Sequence, residues 1–232
     1  MLGGLKHVKD DSPDKVVALM GCMVGAKTQE LERRFPQVDV FMQPQQLEPL
    51  VDLVGERTGI DPAGCIGTLT ARPGVTAYIP ISKGCDKFCS FCIIPYRRGR
   101  EVSRTIADVV HETELLGKRG TKEVTLLGQN VDSYGHDLPG SPDLADLLHA
   151  VHQIDGIQRI RFLTSHPNDM GDRIIDAVAE LPKVCENINI PFQAGDDEVL
   201  RRMRRGYTNA DYRRLVEKIR RRIPGVALVT DL

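Results

Sequence analysis

The chain has 232 residues, 41% of them apolar and 27% charged, with a formal net charge of −1. Those proportions are of a folded globular protein, and the charge balance argues neither for nor against a nucleic-acid partner. No apolar run approaches the roughly 20 residues of a membrane span, which excludes a membrane protein of the helical kind. No basic-then-apolar leader opens the sequence, so a cytoplasmic location is expected. Thiols stay reduced in that compartment, and clustered cysteines there point to metal or catalysis rather than to disulfides.

The first 15 residues are dominated by polar and charged side chains and receive no element. "KVVALMGC" (15–22) is a short β-branched apolar run and predicts a buried strand. "KTQELERRF" (27–35) predicts a helix, "VDVFM" (38–42) a second strand and "PQQLEPLVDLVGERTG" (44–59) another helix. The glycine, proline and threonine of "DPAGCIGTLTARPG" (61–74) mark a connector. The expected boundary follows: residues 1–72 form one α/β piece and 73–232 a second.

Beyond the connector, strands and helices alternate. Strands are expected at 75–85, 123–130, 159–167, 187–195 and 226–232. The helices between them are expected at 103–120, with Ser103 as N-cap and Gly120 as stop, then at 142–155 and 172–181, and in two pieces after residue 195. Such alternation predicts a parallel sheet with helical crossovers, a βα barrel or part of one. Each strand ends in glycine or polar residues ("SKGC", "GQN", "TSHP", "FQAG", "TD"), as the functional mouth of such a barrel does.

The first of those ends carries Cys85, Cys89 and Cys92 in "SKGCDKFCSFCIIPYRRGR" (82–100). Structural zinc normally takes four protein ligands, and disulfides take pairs. Three thiolates can instead hold three irons of a 4Fe–4S cube, leaving the fourth open to an amine and a carboxylate of a small molecule. Gly84 permits a tight approach, and Phe91 is placed to cover one side of a bound adenine. Zinc with a distant fourth ligand, or three cysteines that merely pack, are the alternatives.

This loop resembles that of the radical S-adenosylmethionine enzymes. The run "KGCDKFCSFCIIPYRRGREVSR" is similar to the methylthiotransferase branch, and "LLGQNVDSYG" (126–135), "FLTSHP" (162–167) and "FQAGDDEVLRRMRRGYT" (192–208) agree with its tRNA-modifying members. The resemblance spans roughly residues 15–232 and implies an α/β fold, a partial parallel βα barrel preceded by the remnant of an α/β N-terminal domain. It implies a cluster on Cys85, Cys89 and Cys92 and S-adenosylmethionine on the open iron. One electron then cleaves a carbon–sulfur bond to give a 5′-deoxyadenosyl radical. Gln129, Asn130, Ser165 and Gln193 become cofactor-contact candidates, with Thr164, His166 and Gly195 at the same strand ends. Arg104 is a candidate partner for the cofactor carboxylate.

The implied activity is replacement of the C2 hydrogen of a tRNA isopentenyl-adenosine by a methylthio group. A ribosomal-protein side chain or threonylcarbamoyl-adenosine is the alternative substrate, and an inactive metal-binding remnant the alternative outside enzymes. Implied partners are tRNA and an electron donor such as flavodoxin or ferredoxin, with the protein a monomer. Arg97, Arg98 and Arg100, and less so the arginines of 201–205 and 213–222, are candidates for phosphates. The family's second 4Fe–4S cluster takes three N-terminal cysteines. Cys22 in "MGCMVG" matches one, while no cysteine precedes residue 15. Cys65 and Cys185 match no ligand and are expected to be small apolar residues. The second cluster is therefore incomplete here, and the chain is expected to be a fragment.

Overall fold

The computed structural model describes residues 5–21, 23–25, 27–43, 47–59 and 74–231. The chain divides into two compact units, Met1–Ala71 with Tyr96–Arg98, and Arg72–Pro95 with Gly99–Leu232.

In the first unit α1 (Leu5–Asp11) precedes β1 (Ala18–Met20), α2 (Gln29–Arg34), β2 (Val40–Met42) and α3 (Glu48–Thr58). The two strands pair in parallel, Leu19 opposite Phe41. Helix α1 lies where no element was expected. A tertiary contact explains it: Lys9, in its last turn, donates to Asp39 at 2.7 Å. Asp39 also accepts from the Val17 amide at 2.7 Å and from Arg57 at 2.8 Å. Burial opposes ionisation of this carboxyl, but the bonds from Lys9, Val17 and Arg57 outweigh it and bring its pKa down to about 2. Most of the expected connector and Cys22 lie outside the described residues.

The second unit holds β3 (Thr76–Pro80), the short β4 (Ser82–Lys83), the first two residues of α4 (Ile94–Arg98), β5 (Val102–Ser103), α5 (Ile106–Lys118) and β6 (Glu123–Leu127). Then come α6 (Leu144–His152), β7 (Arg159–Phe162), α7 (Asp172–Glu180), β8 (Asn187–Asn189), α8 (Asp197–Arg202), α9 (Asn209–Arg222) and β9 (Ala227–Val229). Strands β3, β6 and β7 form a parallel sheet in that order, and β8 and β9 a second parallel pair. A parallel bridge from Ile160 to Val184 and a bond from the Ser165 amide to the Asn189 carbonyl at 3.1 Å join the two. Among the described residues the row stays open, with β3 and β9 at its ends, so the expected βα architecture is present without closure into a barrel.

Helix α6 shows why the helices cover the sheet. Leu144, Leu147, Leu148 and Val151 fall on one face at helical spacing and are fully buried. Asp143 and Asp146 close a reciprocal capping box at its start, and Thr208 and Asp211 do the same for α9. The start of α5 differs from expectation. Ser103 is not its cap, because β5 pairs Ser103 with Ser82 and the Arg104 amide donates to the Ile81 carbonyl at 2.8 Å. The helix therefore begins two residues later, capped by Thr105, which accepts from the Asp108 amide at 3.1 Å. Gly120, at φ +102°, ends it as expected. Among the described residues no helix is long and apolar enough to cross a membrane.

Because Leu147 of α6 is fully buried in the core, Leu147→Ala leaves a cavity and is expected to cost about 2–5 kcal/mol. A urea melt of the variant beside the parent, with an unchanged slope, measures this.

Candidate metal and cofactor site

The cysteine loop is a wide excursion between β4 and β5, closed at its base by backbone. Gly84 has φ +73°, and a Cβ there would stand 2.0 Å from the Arg100 carbonyl oxygen, so only glycine lets the strands approach. The Cys85 amide donates to the Gly99 carbonyl at 3.2 Å. Asp86 accepts from the Glu101 amide at 3.1 Å and pairs with Arg100 at 2.9 Å, while the Arg100 guanidinium lies over the Phe88 ring at 5.3 Å. At the far side, the Cys92 amide turns back to the Cys89 carbonyl at 3.0 Å. Ser90 then ties the tip to the end of α8, its amide donating to the Met203 carbonyl at 3.1 Å and its hydroxyl to the Arg202 carbonyl at 2.9 Å.

The loop faces the C-terminal ends of the strands across a cavity of about 230 Å³. Of the residues singled out from sequence, Cys85, Cys89, Cys92, Phe91, Gln129, Asn130, Ser165 and Gln193 line it together, with Thr164 and His166 beside them. Thr164 (φ +69°) and Gln193 (φ +71°) adopt left-handed backbone that residues with a Cβ rarely take, and both stand at the cavity. Arg104 is not among the lining residues. Its guanidinium donates to Glu112 at 2.6 Å and to the Pro80 carbonyl at 2.9 Å, bracing β3 against α5. In the first unit, Arg97 packs so closely on Gly25 that a Cβ there would lie 1.9 Å from its Nη1.

A buried polar network holds the strand ends. Asp132 accepts from the Ser165 hydroxyl at 2.9 Å and from the His166 amide at 3.0 Å, joining the turn after β6 to the end of β7. Burial drives its pKa up to about 7, against those two bonds. Asp169 is a second junction, pairing with Lys87 of the cysteine loop at 2.7 Å and accepting from Asn130 Nδ2 at 2.6 Å. His166 Nδ1 accepts from the Asn168 amide at 3.2 Å, which assigns the ring proton to Nε2. Burial first, then the nearby Arg205 charge, lower the His166 pKa to about 3, so the ring is neutral.

Two of these side chains have buried atoms with no protein partner, the Asn130 Oδ1 acceptor and the His166 Nε2 donor. Buried polar atoms are normally paired, so an acceptor and a donor left over at one cavity suit a polar ligand there. Burial, then the charges of Glu101 and of the other two cysteines, raises the Cys85 thiol pKa. A thiol raised in this way is held as thiolate when a metal cation balances its charge. Among the described residues no three His, Cys, Asp or Glu side chains are gathered for one metal ion. The donor set, the glycine at the loop base and the unpaired polar atoms fit an iron–sulfur cluster with a polar cofactor beside it.

Sequence reasoning missed Lys87, Asp132, Asp169 and Arg205. The first three stand inside or just after recognised motifs, but nothing in a sequence says which polar neighbour turns inward. Arg205 was grouped with the phosphate candidates of 201–205. Helix α8 ends at Arg202, and the chain turns through Arg204 at φ +58°, which carries Arg205 inward to 6% exposure. The "GYT" after it was the available signal that the helix does not continue.

Fold and site together define a parallel βα protein with three thiols lining a cavity at its strand ends. Solved structures align with its fold. The cobalamin-dependent S-adenosylmethionine radical enzyme OxsB, with aqua-cobalamin and S-adenosylmethionine bound, superposes with a TM-score of 0.58 over 99% of this chain and 42% of its own, at 11% identity. The radical S-adenosylmethionine methyltransferase TsrM from Kitasatospora setae gives 0.53 over 67% of this chain and 30% of its own, at 22% identity. The profile of the Radical SAM superfamily matches residues 79–232, and the chain belongs to that superfamily. Among curated proteins it is 49% identical, over 98% of its length and 52% of the relative's, to a tRNA-2-methylthio-N(6)-dimethylallyladenosine synthase of Dehalococcoides mccartyi. Proteins of the same name from Roseiflexus sp. and Chloroflexus aurantiacus are 49% and 48% identical over 100% of the chain and 49% and 50% of their own. The chain thus spans about half the length of the curated relatives it matches.

The raised pKa of Asp132 makes a pH prediction. A folded pKa above the unfolded value gives stability that is present below about 3.8 and lost as pH rises through about 7. Asp132→Asn can keep both bonds, its carbonyl accepting from the amide and its NH₂ donating to the Ser165 hydroxyl. Between pH 5 and 8 the stability of the parent is expected to fall relative to Asp132→Asn by about 2–3 kcal/mol, at about 1.4 kcal/mol per pH unit up to the folded pKa. Paired urea melts at the two pH values provide the check.

Proposed function

We propose that this chain carries the radical-generating centre of a tRNA methylthiotransferase acting at C2 of isopentenyl-adenosine. The observation that carries the reading is the convergence of Cys85, Cys89 and Cys92 with Gln129, Asn130, Ser165 and Gln193 on one cavity. The 49% identity to a tRNA-2-methylthio-N(6)-dimethylallyladenosine synthase supports this choice of substrate. Residues 1–72 then belong to the N-terminal domain of such an enzyme and 73–232 to its radical core. The setting is cytoplasmic, the protein a monomer, and the reductant flavodoxin or ferredoxin.

The C2–H bond of an adenine is not activated toward acid, base or nucleophile, and a bound 4Fe–4S cluster supplies the single electron that turns S-adenosylmethionine into a source of carbon radical. The side chains hold and orient. Cys85, Cys89 and Cys92 ligate the cluster and leave one iron for the cofactor. Asn130 accepts from the cofactor ammonium through Oδ1 while Asp169 holds its NH₂, so its orientation is fixed. Gln129 adds a second amide, and the neutral His166 offers Nε2–H to an acceptor. Phe91, 54% exposed beside the thiols, has a free face for the adenine. Ser165 is held by Asp132, and Gln193 is aimed by its left-handed backbone. Cys22 is assigned to the second cluster, which supplies sulfur in the full enzyme. Arg100, 70% exposed, and the exposed arginines of α9 are the candidates for meeting phosphate.

Anaerobic reconstitution is expected to give about four irons per chain on the three-thiol loop, and release of 5′-deoxyadenosine with S-adenosylmethionine and a strong reductant. Cys85→Ala, Cys89→Ala and Cys92→Ala should each reduce both to background, with the far-ultraviolet circular dichroism kept. In the complete enzyme, digests of tRNA bearing isopentenyl-adenosine should gain the methylthio nucleoside. Uptake of zinc in place of iron contradicts the cluster, whereas modification of a ribosomal protein but not tRNA contradicts the substrate alone.

A further inference from the structure

Among the described residues, Arg205 is a charged side chain buried with no carboxylate paired to it. It is 6% exposed, and among the described residues its side-chain partners are Cys89, whose Sγ lies 3.3 Å from Nη1, and Tyr207, whose hydroxyl lies 3.3 Å from Nε. The guanidinium carbon also lies 5.4 Å from the Tyr207 ring centroid. A guanidinium does not shed its proton in a protein, so this charge stays and must be balanced in place. A buried cation facing a neutral thiol and a phenol is poorly balanced. The same cation facing a metal-bound thiolate is well balanced.

The position is built rather than incidental. The Arg205 amide donates to the Leu200 carbonyl at 3.0 Å, and its carbonyl accepts from Asn168 Nδ2 at 3.0 Å, fixing the backbone on both sides. Tyr207 is anchored in turn by donating to the Phe192 carbonyl at 2.8 Å. Ser90, next to Cys89, is tied to the two residues at the end of α8, so the cysteine and the arginine are referenced to one element.

Resting on the cluster reading above, we propose that Arg205 sets the reduction potential of the cluster through the Cys89 sulfur. Reduction adds one electron from an external one-electron donor, with no bond broken and no proton taken up, and makes the cluster–thiolate unit more negative by one charge. A fixed cation and an N–H donor at a ligand sulfur stabilise that reduced state more than the oxidised one, raising the potential. Arg205 is thus a positioning and tuning residue, one contact removed from the irons.

The test is an anaerobic redox titration followed by electron paramagnetic resonance, without added cofactor, on the parent and on Arg205→Met, Arg205→Gln and Arg205→Lys, with iron counted in each. Arg205→Met is expected to load iron as the parent does and to shift the reduction equilibrium at least tenfold toward the oxidised state, about 59 mV for one electron. Should the methionine variant fail to fold, the neutral glutamine decides by the same shift. Arg205→Lys, which keeps the charge, should recover at least half of it. A neutral variant with full iron and the parent potential overturns the proposal, as does a lysine variant as low as a neutral one, which would point to lost packing. A parent chain that takes up no iron overturns the cluster reading itself, and this one with it.

Discussion

The site depends on a carboxylate where none would be placed for stability alone. Asp132 is buried, and a buried carboxyl is costly unless it is paired or protonated. Here it gathers two donors, the Ser165 hydroxyl and the His166 amide, and so fastens the turn after β6 to the end of β7. Without that clamp, Asn130, Ser165 and His166 would sit on two independent loops. With it they form one wall. Asp169 extends the wall to the opposite side by holding both Asn130 and Lys87 of the cysteine loop.

The two sides of the cavity are built by different means. The strand ends are referenced to a close-packed parallel sheet, and their local strain at Thr164 and Gln193 is sustained by the structure around them. The cysteine loop has no regular structure over its thiols. It is held at its base by the glycine approach of Gly84, and at its tip by Ser90 against the end of α8. A rigid wall suits orientation of a polar cofactor, whereas a loop pinned at two points can still adjust its sulfurs around an inorganic cube.

Much of this was legible in the sequence because it rests on local patterns. The helical spacing of Leu144, Leu147, Leu148 and Val151, the alternation of strands and helices, and the cysteine spacing each declare themselves within a few residues. What was not legible depends on distant partners. Helix α1 is held through Lys9 and Asp39, thirty residues apart. The start of α5 is displaced by strand pairing of Ser103, and Arg104 spends its guanidinium on Glu112 rather than on the cavity. Arg205 looked like one more basic residue in "RRMRR" until the left-handed turn at Arg204 carried it inward to Cys89. Charge in a sequence says that a residue prefers water; only the fold says which charge has been taken out of it.

On the proposed reading, the thiolates of Cys85, Cys89 and Cys92 hold a cluster with one iron left for a small molecule. The most direct measurement is electron paramagnetic resonance of the reduced, reconstituted protein before and after addition of S-adenosylmethionine. A signal whose g-values shift on addition is the predicted result, because a ligand entering the open coordination position changes the electronic structure of the cluster. A cluster signal indifferent to the cofactor would contradict the account, since every iron would then already be closed.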